Sequence, residues 1–129
     1  MSALQPCRAL VVEDDREIGR LLSTVLRREQ FDPTHVRSAA EAVTLLGTDR
    51  YHLIVLDMMA PDRGQTVIDY VKQNRLELLR SIVVVSANPD AIRAAMLGTY
   101  PEPVCKFVAK PFDIPTLVEI VHQCKEMCL

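Results

Sequence analysis

The sequence contains no tryptophan and only four glycines among its 129 residues, and its apolar runs are short. A helix needs about 20 consecutive apolar residues to cross a bilayer, so we expect no membrane partner. The glycines Gly19, Gly47, Gly64 and Gly98 are scattered along the chain. A dinucleotide or flavin site requires a glycine-rich loop after the first strand, so the sequence argues against that class of protein.

The sequence also lacks a charge excess. Its formal net charge is -2 with acidic and basic residues interspersed, which gives no reason to expect direct binding of nucleic acid by this domain. The four cysteines show neither the paired short spacing of a zinc site nor a preceding signal peptide, so we expect reduced thiols in a cytoplasmic protein. They are Cys7, Cys105, Cys124 and Cys128.

Short, continuous apolar runs recur along the chain and are typical of strands buried on both faces of a parallel sheet. The runs are Ala9 to Val12, Leu53 to Leu56, Ile82 to Val85 and Phe107 to Ala109, with a more polar one around Thr34 to Arg37. A helical pattern separates each run from the next, and a last one follows the fifth run. Strict alternation at this length predicts one domain, a doubly wound five-stranded parallel sheet with five helices in three α/β/α layers.

Helix boundaries are indicated by capping residues. Ser38 and Glu41 form a capping box that opens the second helix, and Gly47 is expected to end it in a left-handed conformation. Asn88 is expected to cap the fourth helix, and Asp113 the fifth. The first helix is recognised by an apolar stripe at helical spacing, and the third by a shorter apolar pattern. The stripe consists of Ile18, Leu21, Leu22, Val25 and Leu26, and the shorter pattern of Val67, Ile68 and Val71.

Polar side chains follow four of the five predicted strands. They are Glu13 and Asp14 after the first strand, Asp57 after the third, Ser86 after the fourth and Lys110 after the fifth. Each alone has an ordinary interpretation as a helix cap, a turn residue or a surface charge. Ligands of doubly wound sheets bind at the carboxyl ends of the strands, however, and this rule brings the residues together at one edge.

Clustered carboxylates repel one another, so they either shift their pKa values or hold a cation. Magnesium suits this sparse set, because it takes one or two carboxylates and completes its shell with water and phosphate oxygens. Beside such an ion, Asp57 is placed to act as a nucleophile towards a phosphoryl group and to form an aspartyl phosphate. The ammonium of Lys110 and the hydroxyl of Ser86 would then neutralise and bind phosphoryl oxygens.

Four motifs in register carry a family resemblance over essentially the whole chain. VVEDD, LIVLDMMAP, VVVSA and FVAKPF together resemble the receiver domain of two-component response regulators, of the chemotaxis-regulator type. The resemblance implies a flavodoxin-like fold and a response regulatory domain over residues 6–128. It also implies a phosphorylation-dependent switch rather than an enzyme.

The resemblance carries over to individual positions of the acidic site. Asp57 matches the phosphoacceptor, which receives its phosphoryl group from a histidine of a sensor kinase or of a histidine phosphotransfer protein. Asp14 matches the direct magnesium ligand, Glu13 the ligand that acts through water, and Met59 the residue whose backbone carbonyl completes the site. Asp15 falls outside the site.

The resemblance further implies a switch. Ser86 matches the switch hydroxyl, Lys110 the conserved-role lysine and Phe107 the aromatic that changes rotamer. The peptide bond between Lys110 and Pro111 is expected to be cis. Phosphorylation would change the face made by the fourth predicted helix, the fifth strand and the fifth helix. This face would bind a downstream effector domain or protein.

The sequence departs from the family pattern at three places. The loop from Ala60 to Gln65 lacks the usual Asp-Gly pair and is shorter by one residue. Met59 and Asn88 flank the phosphoryl position, which is expected to change the lifetime of the aspartyl phosphate. Residues 98–103, GTYPEP, are inserted before the last strand and alter the output face.

Two other functions would also use a carboxylate site in an α/β fold. A haloacid-dehalogenase-like phosphatase requires a second aspartate two residues after its nucleophile, whereas Asp57 is followed by Met58 and Met59. A receiver-like interaction module that works without phosphorylation remains the alternative, although the acceptor, the acidic pair and the lysine are all retained. The sequence does not identify the cognate kinase or the target. It also does not determine whether the chain forms a homodimer, or whether it is a stand-alone regulator or an excised domain.

Overall fold

The computed structural model describes residues 7–57, 61–87, 106–110 and 113–126. Within them the strands are β1 (Cys7–Val12), β2 (Phe31–Val36), β3 (Leu53–Asp57), β4 (Ile82–Ser86) and β5 (Lys106–Ala109). The α-helices are α1 (Arg16–Arg28), α2 (Ala39–Thr48), α3 (Pro61–Asn74) and α4 (Ile114–Glu126), with a 3-10 helix at Leu76–Ser81. The fourth predicted helix, opened by Asn88, lies outside the described residues.

The strands form a single parallel sheet in the order β2-β1-β3-β4-β5. The predicted five-stranded, doubly wound fold is therefore confirmed. The strand order reverses between β1 and β3, which pair in register from Ala9↔Leu53 to Val12↔Leu56. This reversal is the position where doubly wound sheets bind their ligands.

Alternate residues of each strand enter two separate cores, one on either face of the sheet. Leu10 and Val12 of β1 pack in the core covered by α2 and α3. Ala9 and Val11 pack in the core covered by α1 and α4. Because both faces are covered, the central strands are apolar throughout, as the continuous runs in the sequence predicted. None of the described helices is long and apolar enough to cross a membrane.

Helix α1 begins directly after the acidic run. Asp15 is its N-cap, and its Oδ1 accepts the backbone N–H groups of Glu17 at 2.8 Å and Ile18 at 3.1 Å. This satisfies two donors that would otherwise have no intrahelical partner. Asp15 is thereby used by the helix, and Glu13 and Asp14 are left at the end of β1.

Two predictions made from local sequence are wrong. Gly47 does not end α2 in a left-handed conformation, because the helix continues to Thr48 and its C-cap Asp49 is extended at φ -119°. Gly47 instead lies close to Tyr70, whose hydroxyl would be 3.2 Å from a Cβ at this position. Nor are all cysteines reduced: Cys7 is disulfide-bonded. The side chains of the other three cysteines lie outside the described residues, and local spacing carries no signal for a bond between distant positions.

Candidate functional site

The carboxyl edge of the sheet brings the predicted acidic residues and lysine together. Asp57 is the last residue of β3, and Glu13 directly follows β1, its immediate neighbour. Lys110 directly follows β5, and its backbone N–H donates to the carbonyl of Ser86 at 2.8 Å. This bond extends the ladder between β4 and β5 by one residue and directs the lysine along the edge towards β3.

The lysine side chain bridges two buried carboxylates. Its Nζ forms an ion pair with Oδ2 of Asp57 and lies 3.8 Å from Oε1 of Glu13. The side chain of Asp57 is 1% exposed, that of Glu13 is 0% exposed and that of Lys110 is 17% exposed. Charges at this depth are poorly screened by water, so the three groups act as one electrostatic unit.

Glu13 is held by both its backbone and its side chain. Its N–H donates to the carbonyl of Val36 on β2 at 3.0 Å, and its Oε2 accepts the N–H of Asp15 at 3.2 Å. Burial and then the neighbouring Asp57 carboxylate raise the pKa of Glu13 from 4.5 to about 8. In the absence of a metal ion, Glu13 therefore tends to keep its proton while Lys110 pairs with Asp57.

Two buried oxygens of this unit have no hydrogen-bond partner, Oε1 of Glu13 and Oδ1 of Asp57. Buried acceptors without partners are rare; in the metal-free protein the proton of Glu13 can be shared with Asp57, and a cation at the same place would replace it. Across the described ranges no three His, Cys, Asp or Glu side chains are grouped as a complete metal site. The two buried carboxyl groups with unpartnered oxygens fit an ion that takes few protein ligands and keeps its water, as Mg²⁺ does.

The cleft beside these carboxylates is lined by residues of β1, β3 and the loop before α2. Asp14 is half-buried here, and Gly64 of α3 closes one side. Arg37 also lines the cleft, and its Nε donates to the backbone carbonyl of Asp14 at 3.1 Å. Arg37 could not be assigned to the site from local sequence, because its position depends on the pairing of β2 with β1.

Of the remaining predicted site residues, Ser86 is described with its side chain and Phe107 by its backbone alone. Ser86 is the last residue of β4, is 3% exposed and lies opposite Ala109 of β5. The backbone of Phe107 lies in β5, opposite Val84, and its side chain is outside the described residues. Met59, Asn88, residues 98–103 and the bond between Lys110 and Pro111 also lie outside them.

One functional candidate was missed by sequence reasoning. His35 is an isolated histidine in the sequence and indicates no site by itself, yet on β2 its Nε2 lies 2.6 Å from the carbonyl oxygen of Glu13. Its ring fills the space beside Gly19 of α1. The sequence does contain a histidine in a strand, His35, and a glycine inside an amphipathic helix, Gly19. Neither feature alone indicates a site, and only the fold brings them into contact.

A doubly wound α/β sheet with two buried carboxyl groups and a lysine at its carboxyl edge is the class of fold that binds ligands at this edge. The chain matches the family described as response regulator receiver domain over residues 9–122, and it belongs to that family. Receiver domains are signalling domains of two-component systems, and phosphorylation and Mg²⁺ binding in the active site are general features of them.

Characterised relatives agree with this assignment. The chain is 30% identical over 116 residues to the response regulator protein PilR of Pseudomonas aeruginosa, and this match covers 88% of the chain and 25% of PilR. It is 33% identical over 115 residues to the DNA-binding response regulator MtrA of Mycolicibacterium smegmatis, covering 89% of the chain and 49% of MtrA. The chain thus spans between a quarter and a half of these relatives.

Solved structures share the fold over nearly the whole chain. A sensor protein from Polaromonas sp. JS666 is 31% identical with a TM-score of 0.79, covering 94% of this chain and 98% of that one. The receiver domain of the sensor histidine kinase PA1611 from P. aeruginosa has a TM-score of 0.76 at 22% identity, covering 92% and 97%. That structure carries a magnesium ion coordinated in its active site cleft.

The raised pKa of Glu13 gives the metal-free protein a specific pH dependence. The folded state holds the proton up to a pH of about 8, whereas the unfolded chain releases it near 4.5. Folding therefore binds a proton between these values, and the free energy of unfolding falls as pH rises, by at most about 1.4 kcal/mol per pH unit. The stabilisation is complete below the unfolded pKa and lost above the folded one.

We expect Glu13→Gln to flatten this fall and to make the metal-free protein more stable than the parent at about pH 8. The measurement is urea unfolding in the presence of EDTA at several pH values across the window. Glu119→Gln, which removes an exposed carboxyl group from α4, controls for net charge. Parallel pH profiles for the parent and Glu13→Gln would contradict the raised pKa.

Proposed function

We propose that the chain is a phosphorylation-dependent switch of a two-component phosphorelay, with Asp57 as the phosphoacceptor. The observation that carries the proposal is the Asp57 carboxylate itself. It is 1% exposed, its Oδ2 pairs with Lys110, and its Oδ1 has no partner. A buried carboxylate at the carboxyl edge of a sheet, with one oxygen unpartnered beside two further acidic residues, is suited to receive a phosphoryl group.

In the proposed reaction, one oxygen of Asp57 bonds to the phosphorus of a phosphohistidine as the P–N bond breaks. The leaving imidazole nitrogen keeps the electron pair of that bond and takes a proton from solvent. Lys110 neutralises the negative charge that builds up on the phosphoryl oxygens, and it is already held at this carboxylate by the ladder between β4 and β5. Ser86, buried at the end of β4, supplies a hydroxyl for another of these oxygens.

The proposal includes a Mg²⁺ site at the same edge. Asp14 and Asp57 would bind the ion directly, Glu13 through water, and Met59 through its backbone carbonyl. Bound there, Mg²⁺ supplies charge neutralisation for the transferring phosphoryl group. Support comes from the unpartnered oxygens of Glu13 and Asp57 and from the preference of Mg²⁺ for a few carboxylates with water.

The proposed output is a population shift between two conformations. Ser86 is drawn towards the phosphoryl group, Phe107 turns inward behind it, and the face made by the fourth predicted helix, β5 and α4 changes. We propose that the switch comprises residues 6–128, which extends the matched residues 9–122 by a few positions at each end. The receivers of this change would be an effector domain or protein, because the curated relatives are two to four times longer than the match.

The proposed phosphoryl donor is a sensor histidine kinase or a histidine phosphotransfer protein. We also place the domain in the cytoplasm, because the kinase that charges such a histidine uses ATP. The Cys7 disulfide stands against this location, since disulfides are rare in reducing compartments. A count of free thiols in protein extracted under acid quench would show whether Cys7 is disulfide-bonded in the cell or reduced, as a cytoplasmic location requires.

The experiment that tests the function is incubation with acetyl phosphate, with and without Mg²⁺, followed by intact mass spectrometry. We expect one phosphoryl group, present only with Mg²⁺ and removed by hydroxylamine, which cleaves acyl phosphates. Failure to form an adduct while Mg²⁺ still binds would contradict the phosphoswitch. The chain would then act as a receiver-like interaction module. The first place to seek the cause would be the segment from Ala60 to Gln65, which the sequence predicted as a loop and whose residues 61–65 instead form the start of α3.

A further inference from the structure

His35 contacts the backbone of the acidic run without being part of the acidic cluster. It lies on β2 opposite Val11, is half-buried, and its Nε2 is 2.6 Å from the carbonyl oxygen of Glu13. A carbonyl oxygen only accepts hydrogen bonds, so Nε2 must carry the hydrogen and donate it. This bond fixes both the ring orientation and which ring nitrogen bears the proton.

Gly19 provides the space in which the imidazole lies. A Cβ at Gly19 would be 2.1 Å from Cε1 and 2.3 Å from Nε2 of His35, far closer than atoms in contact approach. Helix propensity alone favours alanine over glycine inside α1, so the glycine needs another reason. The ring supplies it: with any side chain at this position, His35 would have to leave the carbonyl of Glu13.

The hydrogen bond acts on the peptide that joins Glu13 to Asp14. The N–H of Glu13 is held by the carbonyl of Val36 at 3.0 Å, and its carbonyl is held by His35. Strand β2 thereby fixes both sides of Glu13, one residue beyond the end of β1. Rotation of this peptide would move the backbone from which the Asp14 carboxylate extends.

We propose that His35 is a positioning residue for the acidic pair: its Nε2–H orients the peptide between Glu13 and Asp14, and Gly19 keeps open the space that the ring needs. The effect on Mg²⁺ uptake rests on the function proposed for Asp57. The effect on the backbone does not. A role in packing alone would require only the volume of the ring and not its donor.

Hydrogen exchange and metal binding test the proposal together. In His35→Phe, which keeps a ring but removes the donor, we expect amide exchange at Glu13 and Asp15 to quicken about tenfold, because one hydrogen bond that resists local opening is lost. The Mg²⁺ concentration for half-maximal phosphorylation should rise by about 10-fold or more, as for other residues that orient ligands, at an unchanged maximal rate. His35→Gln, whose amide can donate to the same carbonyl, should recover part of both effects.

His52 provides the matched control at the opposite end of β1. It is half-buried like His35, and its Nδ1 accepts the backbone N–H of Arg8 at 3.0 Å. His52→Phe also removes a histidine bond to the backbone of β1, but far from the acidic edge. We expect it to leave exchange at Glu13 and Asp15 and the Mg²⁺ requirement unchanged.

A double-mutant cycle separates the two members of the proposed device. Gly19→Ala should reproduce the effects of His35→Phe, but should have no further effect on Mg²⁺ binding or exchange when made in His35→Ala. Unchanged exchange at the acidic run in His35→Phe, or equal effects of Gly19→Ala in both backgrounds, would overturn the proposal. If the parent took up no Mg²⁺, only the proposed function would fail, because amide exchange reports the backbone without metal.

Discussion

Asp57→Asn is expected to abolish the Mg²⁺-dependent phosphoryl adduct completely. The amide has nearly the shape of the carboxylate but lacks the anionic oxygen that attacks phosphorus, so the fold is retained while the nucleophile is lost. The side chain is 1% exposed, and a replacement of similar size avoids a cavity at the end of β3. Intact mass spectrometry after treatment with acetyl phosphate measures the loss, and circular dichroism verifies the fold.

Asp32→Asn is the matched control, because Asp32 is exposed at the opposite end of the sheet, on β2. It should take up one phosphoryl group as the parent does. An adduct that persists in Asp57→Asn would show that another group accepts the phosphoryl, and the buried Asp–Lys–Glu unit would then serve the fold and not the transfer.

The architecture could be predicted because the central strands are buried on both faces. Continuous apolar runs such as Leu53 to Leu56 do not depend on an alternation of apolar and polar residues to be recognised, and this run forms a strand in the structure. The edge strand β2 was predicted to begin at Thr34 but begins at Phe31. It includes Asp32 and Pro33, which weaken a strand pattern, and proline is tolerated at a sheet edge where its missing N–H has no partner to satisfy.

Residue types at the candidate site could be predicted, and their interactions could not. The rule that ligands bind at the carboxyl edge selects Glu13, Asp57 and Lys110 from strand ends alone. That Lys110 reaches both carboxylates, and that Glu13 is 0% exposed, depends on the order β1-β3-β4-β5 and on how far each side chain extends. The same limit applies to His35, whose partner Glu13 is brought near only by the pairing of β2 with β1.

Local signals failed where a long-range contact overrides them. Gly47 is a good helix terminator in isolation, yet α2 continues past it because its neighbours pack against α3. The Cys7 disulfide has no counterpart in local spacing at all. The 3-10 helix Leu76–Ser81 was likewise not predicted, since its six residues carry too short a pattern to distinguish from a loop.

Lys110→Met is expected to lower the free energy of unfolding of the metal-free protein by about 3–5 kcal/mol at neutral pH, because it leaves buried carboxyl groups without their cation. Methionine retains most of the length and volume of the lysine, so lost packing contributes little. The ammonium lies between Asp57 and Glu13, with a side chain only 17% exposed. Denaturant unfolding in EDTA measures the effect.

A second substitution tests whether uncompensated buried charge causes this fall in the free energy of unfolding. If it arises from uncompensated buried charge, Asp57→Asn made in Lys110→Met should restore much of the stability, although each change alone breaks the same pair. Arg20→Met, which removes an exposed cation from α1, should cost far less. A loss of about 1 kcal/mol or less for Lys110→Met, with no recovery in the double variant, would mean that water screens the pair. In that case the carboxylates would be solvated without the lysine, and their burial could no longer explain the raised pKa of Glu13.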